Sequence, residues 1–467
     1  MSAADGAPPR YDPGSFRDPG GRVFAHAGRI FRAIMAPAAD DYRRFRASGL
    51  EAALVDAGRL IASVEVDPTS ATAAAPMVVE HPQLEMISYP YEWSFALLRR
   101  AALHHLDLQI DALAAGFVLS DASAYNIQFI GTRAIFIDPL SITPYEEDTP
   151  WTAHRQFCMQ FLNPLILSSR LGIAPNAWFR GSLEGIAPEE LAPLLRWRDH
   201  ASWTMLSHVR LQAAMQTRLT RSDASSARVR EARLPRASFL ALLKDLRHFI
   251  AKSRAPSSAT VWNGYADDNS YAASAREQKR AFVSRTVAAL RPALLVDLGC
   301  NTGDYAVAAL EAGAKRVIGF DFDHGALDGA VARADAADLP FLPLWLDAAN
   351  PSPAQGWAER ERKGLAERLS GADAVVALAF VHHLAIGRNV PLDMVIDWII
   401  GLAPAGVIEF AGKDDPMVQA LLAQRRDIFA DYHEEAALAA IGARATIVER
   451  LRVNEGRRLL VRFDRRR

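Results

Sequence analysis

The chain has 467 residues, which at about 150 per domain implies two or three domains. Half of the residues are hydrophobic and 23% are charged, which excludes a disordered, collagen-like or coiled-coil chain. Two cysteines, Cys158 and Cys300, exclude a disulfide scaffold and a thiolate zinc finger, and a formal charge of -1 excludes a globally basic nucleic-acid binder.

The first residues lack the cationic-then-apolar order of a signal peptide, and no apolar run reaches the roughly 18 residues of a membrane helix. A cytoplasmic protein with no membrane partner is expected. The first lysine is Lys244. Any earlier role that needs a lysine must therefore be filled by arginine.

In chain order, residues 1–17 are rich in Pro, Gly and Ala and read as a disordered tail. GRVFAHAGRIFRAIM, from Gly21, reads as two short strands joined at Gly28. Residues 66–82 are poor in bulky apolar groups and read as a loop. After Trp93, Phe95, Leu98, Ala102, Leu106, Ile110 and Leu113 recur at helical spacing, with Gly116 as the stop. FVLS is a short strand, and NIQFI and RAIFI form a hairpin around Gly131-Thr132 that ends at Asp138-Pro139. Residues 151–250 read as mainly helical. Between Arg196 and Arg236, nine arginines face three acidic residues, an excess of six charges that reads as a solvated helix face.

Beyond Trp262 the pattern changes. ALLVDLG, RVIGFD, FLPLWLD, AVVALAFV and GVIEF alternate with helical segments. Continuous apolar runs of this kind suit strands buried on both faces of a parallel sheet. ATIVERLRV and RRLLVRF flank Asn454-Glu455-Gly456 and predict an antiparallel edge hairpin. The expected fold is therefore α/β: a Rossmann-like doubly wound sheet over residues 251–467, preceded by an α+β domain over 18–250.

VDLGCNTGDY puts Asp297, Gly299, Asn301 and Gly303 at the carboxyl end of the first strand of that sheet, where ligands bind in such folds. Gly299 suits a tight turn and Gly303 a close approach to the opening helix. Asp321 ends the next strand and can accept from both ribose hydroxyls. A dinucleotide site needs glycine where Asn301 stands. The G-x-N-x-G spacing instead resembles the first motif of class I S-adenosylmethionine-dependent methyltransferases. That resemblance covers about residues 262–467. It implies S-adenosylmethionine as cofactor, with the glycine loop on its methionine part, Asp321 on ribose and Asp347 on the adenine amine. Tyr271 and Lys279, in a segment that also holds Trp262 and Tyr265, would fold over the cofactor or pack the first helix. With PSPAQGW (351–357) and NVPL, the C-terminal half is similar to a bacterial methyltransferase family that includes host-specific nodulation proteins of rhizobia.

His382 and His383, at the end of strand four, are candidates for the base that a hydroxyl acceptor needs, the ordinary imidazole pKa of about 6.5 suiting that work. The alternative for either is a core histidine bonded to backbone. Glu409 is expected either to orient substrate or a histidine, or to pair with Lys413 four residues on. PSPAQGW is expected to form a lid over adenine or a simple turn. No metal-ligand set is identified.

In the first half, Asp121, Asn126 and Asp138 follow helix, loop and hairpin in the order of a protein-kinase core, and the region is similar to the aminoglycoside-kinase branch. That resemblance would give Asp121 the acceptor hydroxyl, and Asn126 and Asp138 magnesium. With no lysine before Lys244 and Pro139-Leu140 after Asp138, phosphotransfer is expected to be lost. The expected whole is a methyltransferase whose N-terminal domain orients an unidentified acceptor: small molecule, glycan, protein or RNA. Alternatives are an additional magnesium/ATP phosphotransferase and a non-catalytic adaptor.

Overall fold

The computed structural model describes residues 10–68, 75–196, 203–211, 233–256, 270–423 and 425–466. The chain divides into two compact units. Met1–Ser257 and Ala354–Arg362 form the N-terminal unit; Ser258–Pro353 and Lys363–Arg467 form the C-terminal unit.

The N-terminal unit opens on β1 (Gly21–His26) and β2 (Arg29–Ile34), joined where Ala27 and Gly28 take positive φ of 48° and 75°. Two consecutive positive φ values match the twist of a two-residue hairpin. β3 (Val64–Val66) and β4 (Met77–His81) complete an antiparallel sheet of order β1-β2-β4-β3. β4 corrects the loop expected over 66–82. Its Val78 and Val79 are fully buried, and averaging over the Pro/Ala-rich flank hid them. Residues 10–17 also differ from the expected tail. The Asp12 amide donates to the Val23 carbonyl at 2.6 Å, and Pro13–Ser15 form a 3-10 turn capped by Asp12.

The helix Phe95–Ala114 buries Leu98, Ala102, Leu106 and Leu113, and Gly116 follows its end at φ 83°. β5 (Phe117–Leu119) pairs with β8 (Ile142–Pro144), and β6 (Ile127–Ile130) with β7 (Arg133–Phe136) in the hairpin the sequence predicts. The helical run His154–Leu171 contains a π-turn at Cys158–Leu162. The segment 351–357 runs into an isolated antiparallel bridge between Gln355 and Arg362, closed by the 3-10 turn Trp357–Glu359. From Ala354 it belongs to the N-terminal unit, where Gln355 donates to the Arg180 carbonyl at 2.8 Å and Arg17 pairs with Glu361 at 2.7 Å.

The C-terminal unit is one seven-stranded sheet of order β11-β10-β9-β12-β13-β15-β14. Its strands are β9 (Leu294–Leu298), β10 (Arg316–Asp321), β11 (Phe341–Trp345), β12 (Ala374–Ala377), β13 (Ala405–Ala411), β14 (Thr446–Val453) and β15 (Arg458–Asp464). β9 to β13 run parallel, and β15 is antiparallel to both of its neighbours. Every residue of β9, β12 and β13 is buried, as the continuous apolar runs predict. The strand order reverses between β9 and β12, so a crevice opens at their carboxyl ends. No helix among the described residues is long and apolar enough to cross a membrane.

Candidate functional site

The loop after β9 is shaped by positive φ: Gly299 at 75°, Asn301 at 48° and Gly303 at 88°. Asn301 tolerates this conformation better than most residues, and its side chain accepts the Thr302 amide at 2.7 Å. A Cβ on Gly303 would lie 2.6 Å from the Phe341 ring. Glycine is therefore required there by β11 and by the helix cap, not by close approach to the opening helix. A Cβ on Gly299 would meet Phe380 and the Leu378 carbonyl at 3.4 and 3.6 Å, so the β9 and β12 loops face each other across the crevice. Ala379, in the β12 loop, is also held at φ 49°.

Asp321 lies at the carboxyl end of β10. Its two carboxylate oxygens accept the Asn301 amide at 2.8 Å and the Asp323 amide at 2.9 Å. Each oxygen retains a second lone pair, so the group is locked in place and still able to accept from hydroxyls. Burial raises its pKa, against the pull of those amides. Behind it, Asp297 is fully buried with Oδ2 unpartnered, and burial with Asp321 and Asp304 nearby pushes its pKa up to about 7.

Asp347 accepts the Ala349 amide at 3.1 Å, and the Arg388 guanidinium lies 3.7 Å from it. Arg388 also lies over the Phe322 ring at 5.9 Å. Phe322 is 58% exposed, high for a phenylalanine, and sits next to Asp321. Asp321, Phe322, Asp347 and Arg388 thus line one edge of the crevice. Sequence reasoning missed Phe322 and Arg388. The position of Phe322 directly after the strand-two acid was the available signal; Arg388 had none.

His382 and His383 lie on a short helix, Val381–Ala385, past the end of β12. Their rings are 4.2 Å apart. His382 is fully enclosed, with both ring nitrogens unpartnered, while His383 is partly exposed. Burial, His383 and Arg458 push His382 down to about 3; burial and Arg458 push His383 down to about 4. The ordinary imidazole pKa expected from sequence is therefore not retained, and both rings are neutral at pH 7.

Glu409 does not pair with Lys413, whose partner is Asp427 at 2.8 Å. Fully buried within β13, it meets Lys279 at 2.6 Å and Arg458 at 3.4 Å and accepts the Ala379 amide at 2.6 Å. Burial pushes its pKa up, but Lys279 and Arg458 outweigh this and hold it below the usual range. Arg458 bonds both oxygens of Asp415, at 2.6 and 3.0 Å. Lys279, in the segment expected to fold over the cofactor or to pack the first helix, thus meets Glu409. Tyr271 lies on the helix Ser270–Leu290, but its side chain is outside the described residues, as are Trp262 and Tyr265 and most of the arginine-rich stretch 196–236.

In the N-terminal unit, Asn126 donates to Asp121 at 3.0 Å. Arg32, on β2, donates to Asp138 at 2.6 Å and to the Ile137 carbonyl at 2.9 Å.

The residues present fit S-adenosylmethionine. A glycine-cradled loop, a ribose-competent carboxylate and an exposed aromatic edge converge at the switch point of a sheet whose order and antiparallel β15 match the class I methyltransferase fold. The C-terminal unit therefore has the class I S-adenosylmethionine-dependent methyltransferase fold. The whole chain is 46% identical to nodulation protein NoeA of Rhizobium meliloti (strain 1021) over 459 residues, 97% of this chain and 95% of that protein. The chain belongs to the NoeA family of nodulation proteins. Ribosomal protein L11 methyltransferase of Shewanella baltica (strain OS155 / ATCC BAA-1091) is 42% identical over 59 residues, 12% of this chain and 20% of that one. Among solved structures, magnesium protoporphyrin IX methyltransferase from Synechocystis PCC 6803 aligns at TM-score 0.31 and 18% identity, over 43% of this chain and 89% of that one. N-methyltransferase NodS from Bradyrhizobium japonicum WM9 aligns at TM-score 0.30 and 15% identity, over 41% of this chain and 96% of that one. No family model matches the chain.

Proposed function

We propose that this protein transfers a methyl group from S-adenosylmethionine to an acceptor oxygen. The observation that carries the reading is Asp321, fixed by the Asn301 and Asp323 amides at the mouth of the β9–β12 crevice. The bound cofactor supplies an activated methyl group on a sulfonium leaving group. The chain itself supplies position and a crevice wall, and orientation alone can contribute up to roughly 7–11 kcal/mol.

In this reading Asp321 holds the ribose, Phe322 and Asp347 the adenine side, and Gly299, Asn301 and Gly303 the methionine side. His383, neutral and partly exposed, can accept a proton from an acceptor hydroxyl. His382 packs behind it. Glu409 is a positioning residue that holds the Ala379 amide and, with it, the β12 loop. Oxygen is favoured as the acceptor atom because a neutral imidazole can accept a hydroxyl proton, although at a pKa of about 4 His383 is a weaker base than an ordinary imidazole.

The N-terminal unit is proposed to be kinase-like and to orient the acceptor without phosphotransfer. The Arg32–Asp138 ion pair supports this, because it neutralises the carboxylate that magnesium would need. Incubating the full chain and methyl-labelled cofactor with lysate of a matched deletion strain tests the reading. Label is expected in one fraction among small molecules, glycans, protein and RNA, and is expected to be lost with His383→Ala. Label in no fraction, from a folded chain that binds the cofactor, would contradict transfer.

A further inference from the structure

Three side chains with metal-ligand chemistry meet inside the N-terminal unit, on elements that the methyltransferase reading does not use. His154 Nε2 lies 2.8 Å from His208 Nδ1 and 3.7 Å from Cys158 Sγ. All three donor atoms fall within 4.8 Å of one another. Cys158 is fully buried and His208 is 3% exposed. His154 and Cys158 are four residues apart on one helical run, so they share a face. His208 reaches the same point from the separate segment Leu206–Leu211.

The backbone supports a reason for the meeting. Cys158 opens one π-turn and His208 sits within another. π-helical residues make up well under 1% of protein structure and often mark functional sites. Two such turns, each delivering one donor to the same point, argue for a built site.

Two neutral imidazoles facing nitrogen to nitrogen can share only one proton, and a thiol adds a weak bond at best. A metal ion uses all three groups. A tetrahedral zinc ion holds nitrogen at about 2.0–2.1 Å and sulfur at about 2.3 Å, which separates its ligand atoms by roughly 3.3–3.6 Å. The 2.8 and 3.7 Å separations lie on either side of that range and Cys158 Sγ and His208 Nδ1 are within 4.8 Å of each other, so an ion is seated by opening the histidine pair and drawing the thiolate toward His208. Imidazole with thiolate favours zinc over the hard cations magnesium and calcium.

We propose that His154, Cys158 and His208 form a zinc site that fastens the segment Leu206–Leu211 to the helical run His154–Leu171. Binding releases one proton per ion, from the Cys158 thiol. The ring that donates in the histidine pair changes tautomer, so each imidazole stays neutral and offers a lone pair. Among the described residues no fourth His, Cys, Asp or Glu joins the group, so water completes the tetrahedron. Asp245, which accepts from the Thr204 hydroxyl at 2.8 Å, is near enough to His208 to act on it electrostatically.

The test uses the untagged full chain, stripped with a chelator and titrated with cobalt and then zinc. One equivalent of cobalt is expected, with the visible bands of a tetrahedral ion and a near-ultraviolet thiolate-to-cobalt band, both displaced by zinc. Cys158→Ser should lose the thiolate band, His208→Ala should weaken zinc binding at least tenfold, and Cys300→Ser should change neither. If a variant does not fold, the wild-type spectrum decides alone. No cobalt uptake, or uptake without a thiolate band, overturns the proposal, as does a thiolate band that persists in Cys158→Ser.

Discussion

Asp297 places an ionisable group where no water reaches it. Its pKa is about 7 in the folded chain, against about 3.9 when unfolded. The sign follows from which state holds the proton more tightly. The folded chain does, so this group's stabilisation is complete below about pH 4, declines as pH rises through 7 and is absent above. Asp297→Asn removes the titration. Urea midpoints should show the variant gaining on wild type between pH 5 and pH 8; a constant difference would contradict this. Gly303 makes a separate prediction. Alanine there meets both a positive φ and the Phe341 ring, for a loss of at least about 1–3 kcal/mol. Phe341→Leu should recover part of it in the same measurement, and simple additivity would show that the ring is not the obstacle. Both roles were only half legible in the sequence. VDLGCNTG announced the turn, and the acid that ends β10 announced the carboxylate proposed to hold the ribose. The clash with Phe341 lies 38 residues away on another strand, and the histidine pKa values depend on burial that no local pattern encodes.

Lys279, Glu409, Arg458 and Asp415 tie the helix Ser270–Leu290 to β13 and β15. Two cations face two anions, so the group is neutral as a whole, and its side chains are at most 11% exposed. Removing one member leaves a buried charge uncompensated, at a cost of about 3–5 kcal/mol. Lys279→Met and Glu409→Gln are each expected to lower stability in denaturant titrations on this scale. The double variant should lose less than the sum, because the second change relieves the first. Additive losses would mean the pair does not act as a unit. The expected Lys413 partner failed for a physical reason. Four-residue spacing brings side chains together on a helix, but Glu409 is on a strand, where neighbours come from adjacent strands. The parallel strands themselves were plain, because a strand buried on both faces leaves a continuous apolar run. β4 was not plain, being a short run beside a long apolar-poor flank.

The two units differ in how far their sequences reveal them. The C-terminal unit repeats strand and helix in an order that only a few topologies satisfy. The N-terminal unit is built from short strands and helices, and residues Ala354–Arg362 join it from the middle of the other unit's sequence. No local pattern could foretell that excursion, and the proposed zinc ligands His154 and His208 are likewise 54 residues apart. The C-terminal crevice is proposed to bind S-adenosylmethionine through Asp321. Isothermal titration of the full chain with the cofactor tests it most directly. One site per chain is expected, with a dissociation constant on the order of micromolar, abolished by Asp321→Ala in a chain that keeps its wild-type circular dichroism. No heat from the folded wild-type chain, or undiminished binding by the variant, would contradict the account.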